Sequence, residues 1–408
     1  PDELLRNRPK ADLLLVDEAA AIPAPMLEQL LKHYARIAFA TTVHGYEGTG
    51  RGFQLRFRQT LDRLTPGWRL LQIGQPIRWA ENDPLEKWVF DALLLNAEIA
   101  ENVDATATGI AEIEIQAVSP KALLQDRSTL RQLFALLGQA HYRTTPGDLR
   151  DLLDGPNLSV WIITQGRTVV GALLVAKEGG FDSEFSEQIW AGRRRPRGHL
   201  LPQILSAQAG WLEAAELDYL RVVRIAVHPK LQRLSLGELM LGALERFAQQ
   251  QQVDLLGSSF GATADLVQFW RTAGYQELRL GLSRDASSGC HSLLVAKPVS
   301  SAAAALCEGI RAQFHRQWIN QLNTQWTDLE SPLVMVLLQG FRADERPSID
   351  DQQLQLDLLA YIYGNRGYEQ AVEALRLLTL ITLTEPVSVS RIAADDASLL
   401  IARILLNQ

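Results

Sequence analysis

A chain of 408 residues, 47% hydrophobic and 21% charged, has the composition of a globular protein with room for two or three domains. A net charge of −7 does not mark a general nucleic-acid binder, so any such role rests on local basic patches. Two cysteines, Cys290 and Cys307, exclude a disulfide framework, a disulfide-linked partner and a cysteine zinc site, and no apolar run reaches the 18 residues of a membrane-spanning helix. With no secretory signal at its start, the expected compartment is the reducing cytoplasm, and no membrane partner is expected. The chain opens at Pro1 and almost at once enters a hydrophobic strand, so it is expected to be the C-terminal part of a longer protein.

The first such strand is Ala11-Asp12-Leu13-Leu14-Leu15-Val16-Asp17-Glu18. It reads as a buried parallel strand with two acids at its carboxyl end, where open α/β sheets place ligands. It resembles a Walker B box, in which the first acid holds Mg²⁺ and the second orients the attacking water. A helix over 26–34 and a short strand at 37–42 complete a βαβ unit. The glycine-rich run Gly45-Tyr46-Glu47-Gly48-Thr49-Gly50-Arg51-Gly52 follows as a loop at a strand end. From Arg51 to Arg78 stand six arginines, Arg51, Arg56, Arg58, Arg63, Arg69 and Arg78, with one acid and three interleaved aromatics, Phe53, Phe57 and Trp68. That mixture suits a nucleic-acid surface, with Arg51, Arg56 and Arg58 as candidates; a solvated amphipathic helix is the alternative. Arg78, between Ile77 and Trp79, is a candidate phosphate contact. No Gly-x-x-x-x-Gly-Lys-Ser/Thr occurs in the chain, so a complete P-loop is absent from it.

Residues 84–99 read as a helix and 101–109 as a linker. The period of two over 111–118 predicts a strand, and a helix follows over 128–142. Thr145-Pro146-Gly147-Asp148 starts another helix, with Thr145 at the N-cap. Residues 158–164 and 168–177 form a hairpin, and 179–200 form a loop carrying Arg193, Arg194, Arg195 and Arg197. Four arginines in five positions are exposed and suit RNA or coenzyme phosphates, or simply solvent. A helix over 201–217 precedes the central stretch Val222-Val223-Arg224-Ile225-Ala226-Val227-His228-Pro229-Lys230-Leu231-Gln232-Arg233-Leu234-Ser235-Leu236-Gly237. This is a strand, a turn, a polar loop and the start of a helix over 237–250, an arrangement that aims free N–H groups at an anion. Strand, helix and two strands follow to 297, and residues 299–408 read as a small helical bundle.

The stretch Gln232, Arg233, Leu234, Ser235, Leu236 and Gly237 resembles the pyrophosphate loop of GNAT acetyltransferases, Gln/Arg-x-x-Gly-x-Gly/Ala, with Ser235 in place of the first glycine. The order of elements from 111 to 297 is also similar to that fold. Val16-Asp17-Glu18-Ala19-Ala20, the 45–52 loop, Pro76-Ile77-Arg78-Trp79, Ala140-His141-Tyr142-Arg143, Arg224-Ile225-Ala226-Val227-His228-Pro229 and Phe260-Gly261-Ala262-Thr263 occur in one order. Together they resemble the bacterial tRNA-Met cytidine acetyltransferase family.

That resemblance implies an α/β chain: the C-terminal part of a RecA-like ATPase module (1–100), a GNAT domain (110–298) and a helical tail (299–408). It implies N4-acetylation of cytidine, at the wobble position of elongator tRNA-Met, with acetyl-coenzyme A as cosubstrate, ATP with Mg²⁺ as a driver and tRNA as partner. It implies coenzyme contacts from Ile225, Ala226, Val227, the loop Gln232, Arg233, Leu234, Ser235, Leu236, Gly237 with Glu238, and from Arg271. It places ATP and Mg²⁺ at Asp17, Glu18 and Arg78. His228, which follows the central strand, is a candidate general base, the usual role of an imidazole in proton transfer, or a structural His-Pro turn. Tyr275 is a candidate acid for the leaving thiolate or a packing residue. Two other readings stay open: an enzyme acting on a protein amine, and a translocase whose transferase domain only binds.

Overall fold

The computed structural model describes residues 2–42, 57–58, 60–106, 113–140, 145–285, 288–347 and 352–408. They fall into two compact units, Pro1–Ser259 with Arg284–Cys290, and Phe260–Ser283 with His291–Gln408. The expected boundary at 298/299 lies inside the second unit, which holds the last two strands together with the tail helices.

After a short helix at Asp2–Asn7, the first unit forms β1 (Leu14–Val16), α1 (Ala24–His33) and β2 (Ile37–Phe39), the expected βαβ unit. The two strands run parallel in register Leu14↔Ile37 to Val16↔Phe39. Val16, Leu27, Leu30, Tyr34 and Phe57 form its core. β1 was expected to be buried on both faces, and only one is. Side chains alternate along a strand, so Leu14 and Val16 face the core while Leu13 (55% exposed) and Leu15 (71% exposed) face away. Among the described residues nothing covers that second face.

A helix α2 (Pro84–Ala92) follows, capped by Asp83, whose carboxylate accepts from the N–H groups of Leu85 (2.7 Å) and Glu86 (3.2 Å). It ends short of the expected Ile99 because Leu94 takes a left-handed φ of 54°. The turn drops Leu94 and Ala97 into a core shared with the next elements. These are β3 (Ile113–Val118), α3 (Pro120–Gln125), α4 (Arg127–Ala140), α5 (Pro146–Asp154), β4 (Leu158–Gln165) and β5 (Thr168–Gly179). Arg131 of α4 reaches back to Asp91 at 2.9 Å and to the Asn96 side chain at 2.9 Å. Residues 91–97 are therefore tied to this core rather than to the front βαβ unit.

Thr145 caps α5 as its sequence predicts, in a reciprocal capping box with Asp148. The chain continues through α6 (Ser183–Trp190), β6 (Asp218–Val227), α7 (Leu236–Gln250) and β7 (Leu255–Gly261). β3, β4, β5 and β6 pair successively antiparallel, and β7 joins β6 in parallel. α4 and α5 cover one face through Leu133, Leu137, Leu149 and Leu152 against Val160, Ile162, Ala172 and Leu174. Trp161 points to the other face and meets Phe247 of α7 edge-on at 5.2 Å.

Two expectations between β5 and β6 need correction. The stretch 179–200 is not all loop, because Asp182 caps α6 by accepting from Phe185 N–H at 2.8 Å. The helix expected over 201–217 is broken into Leu200–Gln203, a π turn at Ile204–Gln208 and a 3₁₀ turn at Leu212–Ala215, with Gly210 at φ 88° between the last two. Gly179 makes the return of the chain possible. It sits at φ 79°, and a Cβ there would lie 1.9 Å from the Leu217 carbonyl oxygen, so only glycine fits.

In the second unit α8 (Ala264–Thr272) is capped by Thr263, and β8 (Gln276–Arg284) and β9 (His291–Pro298) are hydrogen-bonded neighbours. Five main tail helices follow: α9 (Ser301–Gln321), α10 (Ser331–Leu338), α11 (Gln352–Tyr363), α12 (Tyr368–Thr384) and α13 (Ala394–Leu400). Phe314 and Trp318 share the buried face of α9, as expected. On the same helix Arg311 and His315 are buried beside Glu345, each 3.3 Å from its carboxylate. The His315 ring stacks on Phe341 at 4.1 Å. Burial, and then the charges of Arg311, Arg271 and Arg342, push the His315 pKa from the usual 6.5 down to about 3.

The unfolded chain protonates His315 near pH 6.5 and the folded chain only near 3, so the unfolded state binds the extra proton between those values. Stability is lost as pH falls through that window. Urea unfolding should show the wild type losing about 2 kcal/mol from this site between pH 7 and pH 5, and His315→Gln should remove that part of the slope. An unchanged slope in the variant would show that His315 is not the group responsible.

Candidate active site

Strand β6 carries the geometry from which the site is built. Its pairing with β5 slips between Leu174↔Arg224 and Val175↔Val222, which leaves Val223 as an extra residue in a β-bulge. Its pairing with β7 runs from Tyr219↔Leu255 to Val222↔Ser258 and goes no further. The strand therefore loses its parallel neighbour at the same place where it bulges. From Val223 to Val227 its backbone groups on that side have no β7 partner. Backbone N–H groups exposed on such a strand edge are the donors an acyl oxyanion needs.

The turn after β6 is held by His228, which is 2% exposed. Lys230 N–H donates to its Nδ1 at 3.3 Å, so Nε2 carries the proton and donates to the Ala100 carbonyl at 2.8 Å. Lys230 Nζ donates to the next carbonyl, Glu101, at 2.7 Å. Both imidazole nitrogens are engaged, and no lone pair faces the strand edge. These bonds give His228 the structural role that a His-Pro turn implies: it pins residues 100–101 across the end of β6.

Past the turn, residues 232–235 form an exposed loop into α7. Arg233 (φ 63°) and Ser235 (φ 57°) both adopt left-handed backbone. Ser235 thus keeps the conformation that a glycine would supply at that position of the loop. Its side chain makes no cap hydrogen bond. The N–H groups of Leu236, Gly237 and Glu238 meet no acceptor among the described residues. They form the positive end of a 15-residue helix, a ready site for a pyrophosphate. Gly237 is buried, and Gln232 donates its amide to the Val227 carbonyl at 3.2 Å, which ties the loop to the strand.

On the face of β6 toward α4 and α5 lies a cleft of ≈ 350 Å³. Phe134, Leu137, Leu152, Leu174 and Val223 give it apolar walls, and Asp148, Asp151, Asn157, Arg221 and Arg224 supply its polar groups. Arg224 is paired with Asp148. The Asp148 carboxylate also accepts from Thr145 N–H (2.6 Å) and Thr145 Oγ1 (2.9 Å), so one residue caps α5 and holds the strand. Burial lowers the Arg224 pKa below its usual value, and Asp148 opposes that shift. Arg221 is held by Glu178. The sequence reading missed this cleft. The available signal was two arginines, Arg221 and Arg224, inside an otherwise apolar central strand, where each needs a counter-ion.

Several expected site residues lie elsewhere. Asp17 and Glu18 are exposed at the carboxyl end of β1, with Glu18 at φ 49° and its N–H on Asp17 Oδ1 at 2.9 Å. Arg78 is exposed, and so are the neighbours that singled it out, Ile77 at 97% and Trp79 at 48%. Arg58 lies over the Trp68 ring at 5.5 Å, beside a cleft of ≈ 1070 Å³ that also takes in Lys32, Arg36 and Arg69. Arg51, Arg56, the 45–52 loop and His141-Tyr142-Arg143 lie outside the described residues. Arg193, Arg194, Arg195 and Arg197 are all exposed. In the second unit, Arg271 is committed to Glu277 by Nε (3.0 Å) and Nη2 (2.6 Å), and it donates to the Val336 carbonyl at 3.0 Å. Tyr275 is 2% exposed and packs edge-on against Trp270 at 4.8 Å.

Residues 1–96 match the family model described as RNA cytidine acetyltransferase NAT10/TcmA, helicase domain. Residues 132–255 and 248–300 match GNAT acetyltransferase 2. The chain is 45% identical over 406 residues to a tRNA(Met) cytidine acetyltransferase TmcA of Nitrosococcus halophilus, covering 99% of this chain and 54% of that protein. It is 38% identical over 405 residues to the protein of the same name from Vibrio cholerae, again covering 99% and 54%. The chain thus spans about half the length of the curated relatives it matches.

Two substitutions check this geometry. Ser235→Gly should relieve a left-handed non-glycine residue and raise stability by about 0.5–1 kcal/mol in urea unfolding; a loss would mean that Ser235 makes contacts of its own. His228→Ala should cost about 1–3 kcal/mol by leaving the Ala100 carbonyl unpaired, with faster amide exchange around residues 100–104. Exchange unchanged there would rule out the pin.

Proposed function

We propose that this chain, which belongs to the tRNA(Met) cytidine acetyltransferase family, transfers the acetyl group of acetyl-coenzyme A to the N4 amine of a tRNA cytidine. The observation that carries this reading is the double use of β6. One end leads to a helix N-terminus suited to the coenzyme pyrophosphate, and one face floors a cleft the size of a nucleoside. The bulge at Val223 lies where the two meet.

The coenzyme's phosphates sit on the N–H groups of Leu236, Gly237 and Glu238, with the pantetheine along the unpaired edge of 223–227. That edge supplies N–H donors for the oxyanion of the tetrahedral intermediate, whose collapse breaks the C–S bond and expels the coenzyme thiolate, protonated from solvent. Cytosine N4 is uncharged at neutral pH and poorly nucleophilic because its lone pair is delocalised into the ring. It needs orientation and oxyanion stabilisation more than a strong base. Its proton becomes acidic only after attack. Asp151, an exposed carboxylate at the cleft that pairs with Arg150 at 3.2 Å, can then take it. The base must be unpaired to enter, as in an anticodon loop. The exposed arginines 193, 194, 195 and 197 suit the phosphates of the flanking strand.

In the front unit, Asp17 and Glu18 stand where a parallel sheet presents carboxylates to a nucleotide, and they fit Mg²⁺ bound through water. ATP with Mg²⁺ supplies the free energy for rearranging RNA when bound. Asp17 fixes the local backbone by accepting from Glu18 N–H, and Glu18 is turned outward by its left-handed φ.

The test is to incubate the full polypeptide with acetyl-coenzyme A, ATP and total tRNA, digest the RNA and look for N4-acetylcytidine by mass. Product is expected, with a loss of at least about 10-fold when ATP is withheld or Asp17 is changed to Asn. Coenzyme binding with unmodified RNA would instead favour a protein amine as acceptor.

A further inference from the structure

We propose that Arg221 reads the Watson–Crick edge of the acceptor cytosine and that Glu178 is the positioning residue that holds it there. This rests on the reading of the β6 cleft as the acceptor site.

Glu178, near the end of β5, has a fully buried side chain. Its Oε2 accepts from Leu201 N–H at 2.9 Å and its Oε1 from Arg221 Nε at 2.5 Å. A buried ion pair is a weak device for stability, because desolving two charges costs as much as their attraction returns, and apolar replacements often do as well. What this pair does supply is orientation. Arg221 is 16% exposed, lines the cleft and is clasped only at Nε. Its Nη1 and Nη2 meet no acceptor among the described residues. The other cleft arginine, Arg224, is already paired with Asp148.

Two parallel N–H donors facing an apolar-walled cleft select a ligand with two adjacent acceptors. Cytosine offers N3 and O2 side by side, next to the N4 amine that must react. Uracil places an N3–H donor there, which would face the guanidinium donors. A fork on N3 and O2 thus admits cytosine, rejects uracil at the same edge and leaves N4 free toward the bulge at Val223.

The experiment compares acetylation of an anticodon-loop RNA carrying cytidine with the same RNA carrying 3-deazacytidine, which lacks the N3 acceptor. Wild type and Arg221→Met/Glu178→Gln are assayed in the full polypeptide. The double variant leaves no buried charge unpaired, and a thermal melt and acetyl-coenzyme A binding confirm its fold. Wild type should prefer cytidine by about 10- to 100-fold in kcat/KM. The variant should lose about that much on cytidine RNA and show a much smaller preference between the two RNAs. Any intrinsic difference in amine reactivity cancels in this ratio of ratios. Glu178→Gln alone should reduce the preference while acetyl-coenzyme A affinity stays the same. A variant whose preference between the two RNAs equals that of wild type overturns the role of Arg221. A wild type that binds coenzyme and modifies neither RNA removes the acetylation reading itself, and this proposal with it.

Discussion

Strand β6 keeps both of its neighbours only as far as Val222. One residue later it bulges against β5 and has already lost β7. A strand in the middle of a sheet normally satisfies its backbone on both edges, because an unpaired buried N–H or C=O costs about as much as a lost hydrogen bond. Here that rule is suspended over 223–227, and the elements around the site are arranged to keep the stretch in place. His228 ties its far end to residues 100–101, Gln232 bonds back to Val227, and Asp148 grips Arg224.

These ties share a logic of buried charge. Arg224 with Asp148, Arg221 with Glu178 and Arg271 with Glu277 each put a guanidinium into a poorly solvated place with one carboxylate. None of them is an efficient way to stabilise a fold, given what desolvation costs. Each is directional, because the planar fork fixes the angle at which strand and helix meet. In the first unit the two pairs stand on the strand that carries the bulge and flank one cleft. In the second, Arg271 joins α8 to the start of β8 and to the end of α10.

The elements were legible where local chemistry decides them. The Thr145 cap, the hairpin around Gly166, the helix after Gly237 and the paired aromatics of α9 follow from short-range patterns that the structure repeats. The misreadings lie where tertiary packing overrides such patterns. Residues 201–217 have helical composition but break at Gly210, and β1 has a doubly apolar pattern with one face bare. For His228 the sequence left two roles open, a base or a structural turn. Its two hydrogen bonds, one to a residue 128 positions away, are long-range contacts that no local pattern announces.

The sequence by itself determined that a strand, a loop and a helix N-terminus would meet at residues 222–238, because apolar periodicity and the sterics of the loop are local properties. It determined the basic character of 193–197 in the same way. It did not determine that Val223 would bulge, that β7 would part company with β6 at Ser258, or that Arg221 and Arg224 would face one cleft with Glu178 and Asp148 behind them. Those features depend on register between strands far apart in the chain and on which carboxylate lies within reach of a buried guanidinium. Such pairings are settled only when the whole sheet closes, since a slip of one residue would turn every side chain on β6 to the opposite face.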